Sequence, residues 1–292
     1  MMSMLDTLLP IIRALSKEFN FNYKEGVKFL LTGKKSLLKV NRFHFIMNNV
    51  EKDEIINRFK KNVKGKKFMK CEYNYCGAEG HWLEEKMGVK PNPNNRPDLL
   101  GYEMKKGSPV TTFVDKQTDV KYFEGKVWKN RQKDIKEKYW FSFERTGSKP
   151  MRIGGWDINK WDHDGQCLKV DDKNNINIIY NYNQDKRSDK HTRLSDYYKD
   201  GENHIIGTWK HTSLRKTIED KFNVKGFFIC KKNKKGEYEK ICFGNCITFD
   251  YWIDQFKQGK IYYDGYSSLY GRWRGTFRAS RRWWENQITS EY

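Results

Sequence analysis

Pro91, Pro93 and Pro97 crowd one short stretch of this chain and decide the course of everything around them. Proline has no backbone N–H and disfavours helix in the residue before it, so the helical segment that reads through Gly80 and stops at Gly88 cannot continue. The chain must leave by an extended or turning connection and begin again. From Asp98 the pattern is that of a strand, Leu99 to Met104, followed by a second extended run from Pro109 to Val114. Alternate side chains of a strand share a face, about 7 Å apart. Glu103 and Lys105 therefore point the same way while Met104 turns into the core. A bend through Leu99–Gly101 lets Asp98 curl back beside Glu103.

Two carboxylates and a lysine gathered in this way are a chemical unit. With phosphate oxygens and waters, a carboxylate pair suits the octahedral coordination of Mg²⁺. A metal there would polarise a phosphodiester and lower the pKa of an attacking water, and Lys105 would orient that water or offset the developing charge. The rest of the chain fits a polyanionic substrate. Lys and Arg number 57 against 37 Asp and Glu, a formal charge of +20. Such a surplus favours phosphate polyanions through counterion release and steering. Membrane insertion is disfavoured, because the apolar run Met4–Leu15 is broken by Asp6, Pro10 and Arg13, is too short to span, and reads better as a core helix than as a signal peptide. Neither the Cys71/Cys76 nor the Cys242/Cys246 spacing has a matching His or Cys pair, so the six cysteines read as reduced, partly buried thiols.

Spacing alone does not single out this site. Glu-x-Lys recurs at Glu84-Glu85-Lys86, Glu124-Gly125-Lys126 and Glu219-Asp220-Lys221. Asp119, Glu124 and Lys126 even repeat the full spacing of Asp98, Glu103 and Lys105. Context separates the two. Asp98 leads into Leu99-Leu100, an apolar strand, whereas Asp119 sits among Lys116, Gln117, Lys121 and Gly125 in what reads as a solvated hairpin.

Elsewhere, Ile55, Ile56 and Phe59 mark one face of a helix over 50–62. The stretch 155–205, rich in Asn, Asp and Lys, reads as loop-heavy, with a single strand at Ile176–Tyr180. Thr212 or Ser213 would cap a helix carrying Leu214, Ile218 and Phe222. Gly226–Lys232 and Tyr238–Thr248 read as a hairpin, and Thr248 as the cap of a last helix with Phe249, Trp252, Ile253 and Phe256 on one face. The expected architecture is α+β in two lobes, residues 1–155 and 156–292, with strands free to cross between them.

The order Gly80-His81-Trp82-Leu83-Glu84, Met87-Gly88-Val89, Pro97-Asp98 and Leu100-Gly101-Tyr102-Glu103-Met104-Lys105 resembles the MvaI/BcnI group of type II restriction endonucleases, a group itself similar to the nicking repair enzyme MutH. The resemblance implies a PD-(D/E)xK nuclease core, a mixed central sheet flanked by helices, within a two-lobed clamp on double-stranded DNA. It makes Asp98 and Glu103 the Mg²⁺ ligands, Lys105 the catalytic lysine and Glu84 a supporting carboxylate on a helix. It also implies a monomer in the bacterial cytoplasm, paired with a cognate DNA methyltransferase and cutting a short, CCNGG-like site. Met87 and Met104 depart from the group's usual aliphatic residues without touching the chemistry.

For reading DNA, the segment Tyr270–Trp284 alternates basic and aromatic residues. Arg272, Arg274 and Arg278 are candidates for guanine forks or phosphate contacts, and the neighbouring aromatics for stacking. His204 and His211, flanking Trp209-Lys210, and His81, beside the acidic cluster, are further candidates. A MutH-like nicking enzyme and a non-catalytic DNA- or RNA-binding protein remain the alternatives. Strand bias in the products tests the first; binding without cleavage or metal marks the second.

Overall fold

A computed structural model describes residues 37–69, 77–89, 95–127, 151–267 and 274–292. The chain divides into two compact units, 1–54 and 55–292. The division falls inside the helix α1 (Leu37–Asn62): its residues up to Glu54 are what is described of the first unit, and Ile55 onward belongs to the second; the Met4–Leu15 segment lies outside the described residues. The second unit holds everything that follows.

In chain order it contains α2 (Ala78–Met87), β1 (Glu103–Lys106), β2 (Val110–Asp115), β3 (Val120–Phe123), β4 (Lys126–Val127), β5 (Met151–Trp156), β6 (Asp164–Val170), β7 (Ile176–Asp185) and α3 (Lys190–Arg193). Then come β8 (His204–Trp209), α4 (His211–Phe222), β9 (Phe227–Lys232), β10 (Tyr238–Gly244), α5 (Phe249–Lys257), β11 (Ile261–Ser267), β12 (Arg274–Ser280), α6 (Arg281–Glu285) and β13 (Ile288–Glu291). Among the described residues three sheets result, ordered β1-β9-β10-β13, β2-β12-β11-β5 and β4-β3-β8-β7-β6. The first is mixed, because β1 runs parallel to β9 while β9–β10 and β10–β13 are antiparallel.

That mixed sheet carries the acidic motif, and each face is buried against something different. Met104, Phe228 and Cys230 join Ile55, Ile56 and Phe59 of α1 and Trp82, Leu83 and Met87 of α2 in one cluster. Phe227 and Ile229 face the other way, toward Leu214, Ile218 and Phe222 of α4 and Trp284 of α6 in a second, larger cluster. The alternation of strand side chains sets this division. Ile55, Ile56 and Phe59 thus share a buried face as their spacing predicts, on a helix that runs well beyond 50–62. Gly88 adopts left-handed φ and ends α2 as expected, donating back to Glu84 and Glu85 carbonyls.

The middle of the chain overturns its sequence reading. Instead of a loop-heavy insert with one strand, β6 and β7 form a long antiparallel hairpin, extended by β8. The Asn- and Asp-rich run between β6 and β7 is turn chemistry: Asp171 Oδ1 accepts from the backbone N–H groups of Lys173 and Asn175, and Asn174 takes a left-handed φ of 60°. Polar composition marked the turn and concealed the strands on either side. The capping of α4 also differs. Its N-cap is Lys210, and the free N–H groups are met from elsewhere, Lys210 by Asp119 and His211 by Asn175. Thr248 caps α5 as read, accepting from Tyr251, although α6 follows it in the chain.

Candidate active site

The site grows out of one tight turn. Leu99 and Tyr102 exchange both backbone hydrogen bonds, N–H of each to the carbonyl of the other at 3.0 and 2.9 Å, around Leu100 and Gly101 with φ of 49° and 85°. Two consecutive positive φ angles make a hairpin-type reversal, free for glycine and costing leucine about 1–2 kcal/mol. The strand accordingly begins at Glu103 rather than Leu99. The reversal brings Asp98 back against β1, where its Oδ2 accepts the Met104 N–H at 2.9 Å. This is the bend that the spacing of Asp98 and Glu103 calls for.

Glu103 and Lys105 lie on the same face of β1, joined by a 2.7 Å bond from Lys105 Nζ to Glu103 Oε1. Glu103 is 1% exposed. Burial pushes its carboxyl above the ordinary range, opposed by Lys105 and Lys221 and reinforced by Asp98. Burial likewise lowers the Lys105 ammonium, with Glu103 opposing and Lys221 adding to the effect. Both shifts express the cost of holding charge away from water. The Phe222 ring lies 5.2 Å below Lys105 Nζ. Glu84, on α2, is also raised, first by burial and then by Asp98, with His81, Lys105 and Lys221 acting against that. Glu84 thus feels Asp98, His81, Lys105 and Lys221, and Asp98 in turn acts on Glu103 and Lys105. His81 is exposed at the start of this group.

Among the described residues no three His, Cys, Asp or Glu side chains form a ready-made ligand set. What is present is a carboxylate pair, and the pair fits a hard divalent cation on one specific ground. Glu103 Oε1 is held by two ammonium groups, while among the described residues no hydrogen bond reaches the buried Oε2. A buried carboxylate oxygen left without a partner is costly. A cation completed by phosphate oxygens and waters would satisfy it.

Sequence reasoning missed one member of the site. Lys221, in the last turn of α4, places its Nζ 3.2 Å from Glu103 Oε1. It was visible only as part of Glu219-Asp220-Lys221, one of the uninformative repeats of the Glu-x-Lys pattern. The full repeat at Asp119, Glu124 and Lys126 has a different use. Glu124 and Gly125 form the turn of the expected β3–β4 hairpin, with φ of 46° and 72°. Asp119 accepts from Lys210 N–H and from Ser213 Oγ, each at 2.8 Å, and pairs with Lys116 at 3.4 Å. It is a cap for α4 supplied by the residue that precedes β3.

The other residues considered for DNA contact have surroundings of their own. His204, at the start of β8, has its Nε2 2.8 Å from Asp200 Oδ1 and its ring against Tyr197 and Tyr198. His211 opens α4, half-buried. Arg278, on β12, donates from Nε to Thr276 Oγ1 and pairs through Nη1 with Asp264 on β11 at 3.1 Å. Arg274 begins β12, and Arg272 lies outside the described residues. The stacking expected of the last aromatics is corrected for Trp283 and Trp284. They are 5% and 1% exposed and pack on Phe113, because α6 folds them into the larger core. Of the cysteines, Cys167, Cys230 and Cys242 are buried and Cys246 is exposed, all four free; Cys71 and Cys76 lie outside the described residues.

Comparison with known proteins points the same way. The family model described as LlaMI restriction endonuclease matches residues 61–290. The type II restriction enzyme ScrFI of Lactococcus lactis subsp. cremoris is 30% identical over 275 residues, covering 82% of this chain and 98% of the enzyme. In fold, the chain is similar to restriction endonuclease MvaI in a complex with its cognate DNA substrate, with a TM-score of 0.54 at 12% identity over 84% of this chain and 97% of the other. The α+β architecture is thus that of the PD-(D/E)xK-type fold.

Proposed function

The chain belongs to the LlaMI restriction endonuclease family, whose members are type II site-specific deoxyribonucleases, and from that premise we propose that it is a Mg²⁺-dependent endonuclease acting at the Asp98–Glu103–Lys105 site on double-stranded DNA. The observation that carries this reading is the state of Glu103: buried, clamped at Oε1, without a hydrogen-bond partner at Oε2 among the described residues, and within the charge influence of Asp98.

Asp98 and Glu103 would hold the cation between them, Asp98 fixed by the Met104 N–H and Glu103 by its lysines. When bound, Mg²⁺ supplies Lewis-acid polarisation of the scissile phosphate and a lowered pKa for the attacking water. Lys105 sits on the same strand face, where its ammonium orients the nucleophile or offsets negative charge on the phosphorane-like transition state. Glu84 supports the site from α2, its partly buried carboxyl available to hold a water or share the metal's hydration. DNA is drawn in by the net charge of +20. Contacts to it are assigned to His81, His211, Arg272 and Arg274. His204 and Arg278 keep the same assignment, exchanging their present carboxylate partners for DNA. The target is a short, CCNGG-like site, cut by a monomer whose host DNA a cognate methyltransferase protects.

Digestion of unmethylated phage DNA in Mg²⁺ tests the proposal. Discrete double-strand fragments are expected, lost with EDTA and in Glu103→Gln. Nicked circles without linear product would instead favour a MutH-like activity. DNA bound but uncut by the wild-type protein would overturn the catalytic reading.

A further inference from the structure

Glu103 carries more positive charge around one oxygen than a single catalytic lysine accounts for. Lys105 and Lys221 both reach Oε1, at 2.7 and 3.2 Å, and their side chains are 11% and 21% exposed. The two ammonium groups come from different elements, β1 and α4. Resting on the catalytic reading above, we propose that Lys221 is a positioning residue for the metal site: it holds Glu103 Oε1 so that Oε2 stays turned to the divalent cation while Lys105 is engaged with the substrate.

The argument is one of competing duties. In the free protein Lys105 could hold Glu103 unaided. A lysine that also serves the nucleophile or the phosphate must exchange that bond for another, and Glu103 would then be free to rotate about its side-chain torsions. Lys221 keeps Oε1 occupied through that exchange. Its element is suited to the task. Leu214, Ile218 and Phe222 bury one face of α4 completely, and Asp119 and Asn175 fasten its N-terminal end. Phe222, the next residue, lies beneath Lys105 itself, so the last turn of α4 contacts both functional residues of β1. Asn95, from the Pro- and Asn-rich connection that leads to Asp98, donates to the Thr217 carbonyl of the same helix at 2.7 Å. The helix thus meets three successive parts of the motif: its approach, its carboxylate and its lysine. The simplest competing account is that Lys221 only neutralises a buried charge or complements the C-terminal end of the helix dipole.

The two accounts differ in what a substitution changes. Lys221→Met and Lys221→Arg would be compared with wild type on a duplex bearing the mapped cleavage site, with a non-hydrolysable linkage at the cut for binding and a normal one for cleavage. Mn²⁺ binding to the protein–DNA complex is read from the free-ion EPR signal. Positioning through Glu103 predicts Mn²⁺ binding about 10–100-fold weaker in Lys221→Met, as for other groups that orient a metal ligand. A matching loss of single-turnover rate at limiting metal, near-normal DNA affinity and substantial rescue in Lys221→Arg are also expected. A variant that only melts at lower temperature, or only binds DNA less well, with Mn²⁺ binding and rate unchanged per folded molecule, overturns the inference. If Lys221→Met does not fold, Lys221→Arg and Lys221→Gln give the same comparison. Glu103→Gln separates the two levels of argument. Normal cleavage by that variant would sink the underlying site, whereas its inactivity beside an unaffected Lys221→Met would sink only the role of Lys221.

Discussion

Replacing Asp119 by alanine should cost stability and leave cleavage nearly intact, and the opposite should hold for Asp98. The two aspartates open the same spacing, so the contrast tests whether context was read correctly. Asp119→Ala removes the acceptor for the Lys210 N–H and for Ser213 Oγ, both at 2.8 Å, and the 3.4 Å pair with Lys116. A helix cap contributes about 1 kcal/mol, a further hydrogen bond about as much, and a partly exposed ion pair a few tenths. Roughly 2 kcal/mol is therefore expected, or a fall in Tm of about 4–8 °C for a unit of this size. The helix itself should persist, because Asn175 still accepts from His211 and Leu214, Ile218 and Phe222 remain buried. Asp98→Ala instead removes a proposed metal ligand, and cleavage should fall by about 100-fold or more. Thermal melts and digestion of unmethylated phage DNA in Mg²⁺ at 25 °C read both quantities on the same preparations. Loss of cleavage in Asp119→Ala with an unchanged Tm, or wild-type cleavage by Asp98→Ala, would refute the assignment.

Two further perturbations probe the scaffold. Asp185 is buried and bonded through both oxygens to Arg187, as close as 2.6 Å, and by the Tyr180 hydroxyl. Burial raises its carboxyl, but the Arg187 bonds and charge outweigh that and hold it below the ordinary range. A depressed carboxyl stabilises above its unfolded pKa, about 3.9, and that contribution is lost as pH falls through the folded value. Asp185→Asn should therefore cost about 3–5 kcal/mol at neutral pH. The gap from wild type should narrow below about pH 4, and a gap that does not change with pH would contradict the account. At Gly275 an added Cβ would fall on the Tyr263 hydroxyl and ring across the β11–β12 pair, so Gly275→Ala should cost about 1–3 kcal/mol or more in chemical denaturation. Tyr263→Phe in the same chain should recover part of it, since the nearest atom is the hydroxyl oxygen; strictly additive effects would rule out this clash.

The motif strand was legible in the sequence because its determinants are local. Proline ends one element, a Leu100-Gly101 reversal turns Asp98 back, and the two-residue period puts Glu103 and Lys105 on one face. The same holds for Gly88 closing α2 and Thr248 opening α5, where a single residue's backbone freedom or side-chain oxygen meets nearby N–H and carbonyl groups. What could not be read there depends on partners distant along the chain. The strands of β6 and β7 are half polar and become strands only by pairing with each other and with β8. Asp119 is a cap only because α4 starts beside it, Trp283 and Trp284 are core only because α6 turns inward, and His204 and Arg278 have carboxylate partners that no spacing announces. Lys221 meets Glu103 because α4 packs across the strand that bears it. Local rules placed the carboxylates and lysine of the motif; the packing of a helix against that strand decided what surrounds them.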